Sequence, residues 1–253
     1  MKKTLLAVTL AALTSGAAST ALAADPKAPE PDFEISGNFG IVSDYKFRGI
    51  SQTNGKPAAQ GGFDFTHKSG VYAGIWTSNI SGWTAAGSSQ EIDLYGGFSG
   101  SSGDLEFDIG YVSYQYPGNT NALKNNSQEI YAGISYGPVS YKISRTLSNY
   151  FGIASNTDGS TYHDLSIEHQ FSEKVSLGAH AGIQKIKNNT TDFKDYSLSG
   201  SYDLGDGYSV GLTYHTTSFD NKASREAWAG AASNTANAEL YESKVVLSLS
   251  KTF

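Results

Sequence analysis

From Phe33 to Phe253 the chain is a succession of segments, each about ten residues long, in which apolar and polar side chains alternate. A period of two places the two kinds of side chain on opposite faces of a β-strand. In the first segment Phe33, Ile35, Phe39 and Ile41 share one side, and Glu34, Ser36 and Asn38 the other. Further segments span 59–67, 71–78, 90–98, 105–116, 128–136, 139–147, 162–171, 175–186, 194–204, 208–217 and 241–253, twelve in all. A single-chain bacterial barrel needs an even number.

The joints alternate as well. Those at 67–70, 99–104, 137–138, 172–174 and 205–207 are short and rich in turn residues, whereas those at 51–58, 79–89, 117–127, 148–161, 187–193 and 218–240 are longer. Short connections on one rim and long ones on the other mark an up-and-down meander that crosses an outer membrane. The expected fold is therefore an all-β, transmembrane, antiparallel barrel of about twelve strands over residues 33–253. The last strand fits this expectation. Val245, Leu247, Leu249 and Phe253 lie on one face, in phase with the first strand, so the two can pair and close the sheet. A terminal aromatic is also the signal expected to engage the barrel-assembly machinery. Lys251 interrupts the apolar face near the rim, where its amine can reach the headgroups.

Before the first segment, Met1-Lys2-Lys3, an apolar run from Leu5 to Leu13 and Ala21-Leu22-Ala23 have the order of a secretory signal peptide, with cleavage expected before Ala24. Residues 24–32 carry Pro26, Pro29 and Pro31 and read as a short periplasmic tether. The chain has no Cys and no run of eighteen apolar residues, which excludes a helical membrane protein but not a barrel. Its net charge of -6 argues against nucleic acid as a partner. Outer-membrane lipids and small hydrophilic solutes are the partners such a barrel implies.

Desolvation orients the faces, because a carboxylate at the bilayer midplane costs several kcal/mol. Asp64, Glu91, Asp93, Glu106, Asp108, Glu129, Asp164, Glu168, Asp195 and Glu242 share the polar parity and should line the lumen, and Glu34 and Asp203, on the same parity, should face the lumen or the rims. Asp44 is placed there too, while Lys46, Arg48, Lys142 and Lys244 are the fewer cations on that side. Such a lumen should favour cations, unless these charges pair and brace a closed barrel. Trp76, Trp83 and Trp228, towards the long-loop side, and Tyr196, Tyr202, Tyr208, Tyr214 and Tyr241, on apolar parity, suit interfacial girdles, although strands favour Tyr in any case.

The stretches Ser43-Asp44-Tyr45-Lys46-Phe47-Arg48-Gly49-Ile50-Ser51-Gln52, Pro57-Ala58-Ala59-Gln60-Gly61-Gly62-Phe63-Asp64 and Gly70-Val71-Tyr72-Ala73-Gly74-Ile75-Trp76-Thr77-Ser78-Asn79 are more specific than any periodicity. They resemble the TorF-type porin family, and Glu91 to Gly97 and Glu129 to Ser135 continue the likeness more weakly. The resemblance implies a Gram-negative outer-membrane barrel with a pore-like role, and brings neither a substrate nor catalytic residues. Asp44, Tyr45 and Arg48 are expected where the first strand meets the long-loop rim. There Arg48 would either cross to a neighbouring carboxylate, Asp64 being nearest in sequence, or contact a ligand at the constriction.

Catalysis finds no motif. His67, His163, His169, His180 and His215 are the only candidate bases, and no serine-hydrolase pattern accompanies them. Asp203-Leu204-Gly205-Asp206-Gly207 is a turn rather than a calcium loop, and no cofactor is expected. Two functions stay open: a passive channel for small hydrophilic solutes, preferring cations, or a closed barrel acting in adhesion, envelope structure or ligand binding through its long loops.

Overall fold

The computed structural model describes residues 31–81, 85–189, 191–220 and 240–253. The signal peptide, most of the tether, Trp83, Trp228 and the greater part of the 218–240 loop lie outside the described residues. Twelve antiparallel strands form one closed barrel: β1 (Phe33–Val42), β4 (Ala58–His67), β5 (Val71–Asn79), β6 (Gln90–Ser102), β7 (Leu105–Gln115), β8 (Ser127–Tyr136), β9 (Val139–Thr146), β10 (Thr161–Ser172), β11 (Val175–Lys185), β12 (Phe193–Gly205), β13 (Tyr208–Phe219) and β14 (Lys244–Thr252). Every strand pairs with its neighbours in sequence, and β14 closes on β1 with Phe39 opposite Lys251 and Ile41 opposite Leu249. All twelve expected segments are present, and they agree with the strands to within a few residues at their ends.

The two faces separate as desolvation requires. Ile41, Phe63, Ile75, Leu94, Ile109, Ile130, Leu165, Leu198, Leu212 and Leu247 are all 42% or more exposed on the outer surface. An apolar belt of that extent suits hydrocarbon, not water. Tyr196, Tyr202, Tyr208 and Tyr214 lie on this outer face, and Lys251 at the short-turn rim stacks 4.3 Å from the Tyr208 ring centroid. At the seam, Gly37 donates to the Phe253 carbonyl at 2.7 Å and Phe253 donates back at 2.9 Å. The Phe253 ring meets Phe63 edge-on.

One connection departs from the expected meander. β1 stops at Val42 instead of running on to the rim, and residues 43–57 turn into the barrel as a small hairpin, β2 (Lys46–Phe47) and β3 (Ile50–Ser51). Apolar residues explain the inward turn. Tyr45 packs edge-on against Trp76, Phe47 against Tyr114 and Phe151, and Ile50 joins Phe193, Leu240 and Tyr241. Burying each such side chain contributes roughly 1.5–3 kcal/mol. Trp76 and Tyr241 therefore face the interior, which corrects their placement in an interfacial girdle.

The assignment of faces can be tested with one pair of substitutions. Leu198→Arg, on the outer face near the middle of β12, should cost about 2–4 kcal/mol in urea unfolding from lipid vesicles. The adjacent Ser199→Arg, facing inward, should cost less than half as much.

Candidate functional site

The hairpin tip is the sharpest local feature of the chain. Arg48 and Gly49 occupy the turn with φ of 48° and 77°, the left-handed pair that a two-residue hairpin loop demands. Glycine adopts this freely, but for arginine it is uncommon and persists only where surrounding contacts compensate. Space also requires Gly49, since a Cβ there would collide with Asp195 and Thr217.

Those compensating contacts come from the far wall. The Arg48 guanidinium forms a two-point pair with Glu129 of β8, Nη1 to Oε1 at 3.0 Å and Nη2 to Oε2 at 2.7 Å. It also donates to the Gln184 side-chain oxygen of β11 at 3.0 Å. Its flat faces are covered by Tyr162 of β10, 4.2 Å from the ring centroid, and by Phe47, 4.8 Å away. The two charged side chains are only 7% and 2% exposed. Burial opposes the charge on Arg48, but Glu129 overrides it and holds the guanidinium firmly protonated. The expected partner Asp64 is engaged elsewhere, accepting from Tyr95 at 2.5 Å. Asp64 sits on the wall strand beside β1, whereas the inward turn carries Arg48 across the lumen.

The hairpin is fixed at its base too. Asp44 accepts from Ser51 at 2.5 Å and Thr53 at 3.1 Å, and faces Lys46 at 3.5 Å and Lys244 at 3.9 Å. Level with the hairpin, every wall strand contributes a buried inward side chain. In wall order these are Val42, Val246, Thr213, Asp195, Gln184, Tyr162, Thr146, Glu129, Val112, Glu91, Ser78 and Ala58. Below this belt the inward positions are chiefly small, among them Gly178, Ser199, Ser201, Gly211, Ser248 and Ser250. The lumen is thus filled in its long-loop half; below that, small residues line the β11–β14 side, while Tyr72, Tyr95, Tyr131 and Lys142 project inward from β5, β6, β8 and β9.

The other anticipated lumen residues sort into small networks. Tyr72 donates to Asp108 at 2.6 Å and shares a 2.5 Å hydrogen bond with Tyr131, over whose ring Lys142 sits at 5.8 Å. His180 lies between Asp164 and Asp195, at 3.3 and 2.9 Å, and Asp195 also accepts from Tyr162. Glu91 accepts from Tyr116 at 3.0 Å, whereas Asp93, 2% exposed, keeps its Oδ1 without a hydrogen-bond partner among the described residues. Glu106 is half-buried on the same parity, while Glu34, Glu168 and Asp203 are exposed near the short-turn rim. Glu242 precedes β14 and is exposed, so it belongs to a loop and not to the wall. Gln184, Tyr162 and Tyr114 escaped sequence reasoning, because only the inward hairpin gives them a role. Its signal was nonetheless present: Arg48-Gly49 sits between two short alternating pairs, Lys46-Phe47 and Ile50-Ser51.

Stranding one partner of a buried ion pair costs about 3–5 kcal/mol. Arg48→Ala and Glu129→Ala should each lower stability by about that amount in urea unfolding from vesicles, and the double variant should lose less than the sum. Arg48→Ala combined with Asp64→Asn should instead be additive.

Several solved structures share this architecture. The "KdgM porin" superposes with a TM-score of 0.55 at 9% identity, over 86% of this chain and 99% of that one. A "KdgM porin in complex with disordered oligogalacturonate" gives 0.53 at 7% identity, over 87% and 98% of the two chains. A "NanC porin" in a rhombohedral crystal form gives 0.52 at 7%, over 87% and 99%. At such identities the likeness is one of fold. No curated protein matches the chain by sequence. A family model does match, over residues 24–253, and the chain accordingly belongs to the family described as "Bacterial protein of unknown function (Gcw_chp)".

Proposed function

We propose that this protein is an outer-membrane channel of a Gram-negative bacterium, of the TorF-type porin kind that its first third resembles. Its passage is closed on the long-loop side by the β2–β3 hairpin. In this reading residues 1–23 are a cleaved signal peptide, 24–32 a periplasmic tether, and the barrel-assembly machinery inserts 33–253 through the strand that ends at Phe253. The observation that carries the proposal is the hairpin held across the lumen by the Arg48–Glu129 pair. The apolar outer belt supports the membrane location, and the porin-like fold supports passage of small hydrophilic solutes.

Cation preference is part of the proposal. Lys46 and Lys244 both face Asp44, and Arg48 is paired to Glu129, leaving Glu91, Asp93, Asp108, Asp164 and Asp195 against Lys142 and the histidines. A low-dielectric wall focuses that acidic field along the passage. No catalytic role is assigned. His180 has both ring nitrogens engaged by carboxylates, which suits a brace between strands.

Burial around the whole belt also favours a second reading, a permanently closed barrel acting through its outer loops. Single-channel recording separates the two. The wild-type barrel in planar bilayers should dwell mainly in a closed state, and Glu129→Gln should raise the open fraction at least several-fold, with cations passing in preference to anions. Absence of conductance from both proteins would leave the closed-barrel reading, and anion preference would contradict the acidic-lumen argument.

A further inference from the structure

The cradle that receives Arg48 is built mainly from the wall. Glu129 of β8 presents both carboxylate oxygens to the edge of the guanidinium, Gln184 of β11 presents its amide oxygen, and Tyr162 of β10 presents its ring face. The hairpin itself adds only Phe47 to this set. Planar, two-point recognition with an aromatic ring on the flat face is the geometry that separates a guanidinium from an ammonium, which binds as a point charge.

A second observation points to a ligand rather than a brace alone. Glu91 and Asp93 of β6 are 1% and 2% exposed, and each keeps one buried carboxylate oxygen with no hydrogen-bond partner among the described residues. Both share the inward parity of Glu129. Asp93 is paired across strands with Tyr114, whose hydroxyl reaches Glu129 at 3.4 Å. The arc thus holds three carboxylates, of which the hairpin's guanidinium pairs with one. Its carboxylates outnumber the one guanidinium that the hairpin brings.

We infer that this part of the wall is a binding site for guanidinium-bearing solutes, with Arg48 as the chain's own occupant. With the hairpin seated, the arginine fills the cradle; with the hairpin displaced, a solute guanidinium takes the same place between Glu129, Gln184 and Tyr162. The inference rests on the channel reading in one respect, since the lumen is the route by which a solute arrives. It defines the cation preference more narrowly, as recognition of a planar cation instead of positive charge in general.

The test uses the full-length barrel refolded in detergent, with folding verified by its changed gel migration on boiling. Arg48→Ala empties the cradle, and Arg48→Gln serves in its place if that variant does not fold. Three small probes of similar size are compared: methylguanidinium, methylammonium and methylurea. The readout is the concentration of each that gives a half-maximal rise in unfolding temperature. In the emptied cradle methylguanidinium should act at least ten-fold more potently than the other two. Adding Glu129→Gln should abolish that preference, and the wild-type barrel should respond at least ten-fold more weakly. Equal potency of the three probes, or a preference that survives Glu129→Gln, would overturn the inference. Because unfolding temperature requires no conductance, a selective rescue without current in any variant would sustain the site and sink the channel. Conductance without selective rescue would do the reverse.

Discussion

The arrangement of this lumen depends on one buried charge. An arginine taken out of water must recover its lost hydration from fixed acceptors, and it stays charged only where the recovery is nearly complete. Glu129, Gln184, Tyr162 and Phe47 supply it for Arg48, from three strands of the far wall and from the hairpin itself. The contacts also maintain a left-handed arginine at the tip of a tight turn. If the pair is broken, the hairpin keeps its apolar packing but loses the contact that fixes its tip to the far wall, and a carboxylate is stranded inside.

The same rule orders the rest of the molecule. Backbone groups are satisfied by closing the sheet on itself, so that β14 meets β1 and no edge remains. Most aliphatic residues of the wall turn outward, while most carboxylates turn inward and find phenols, an imidazole or amines. Small inward residues line the short-turn half on the β11–β14 side, whereas the hairpin and the buried belt around it fill the long-loop half. The barrel is thereby filled unevenly along its length, a polarity that the single-file order of its strands does not itself require.

The strands were legible because both of their determinants are local. Period two and turn chemistry can be read within ten residues, and all twelve segments from Phe33 onward formed as read. The partner of Arg48 was not legible, because it depends on where a chain reversal points. Read as an extension of β1, Arg48 lies nearest Asp64; turned inward after Val42, it lies beside Glu129, 81 positions away in sequence. Tyr241 and Trp76 were misplaced for the same reason, as an aromatic near a rim has no local mark telling lipid from lumen. Parity did place Asp108, Asp164 and Asp195 inside, although not which phenol or imidazole each would meet.

The central claim is that the hairpin fills the barrel instead of standing above it. The chain has no cysteine, so a single introduced thiol reports its own surroundings. Ser51 is fully buried at the base of the tip, and Lys56, five residues on, is exposed. With a membrane-impermeant maleimide added outside vesicles that hold the refolded barrel, Ser51→Cys should be modified far more slowly than Lys56→Cys, and breaking the pair with Glu129→Gln should erase most of the difference. Equal rates at the two positions in the otherwise unaltered barrel would contradict the account.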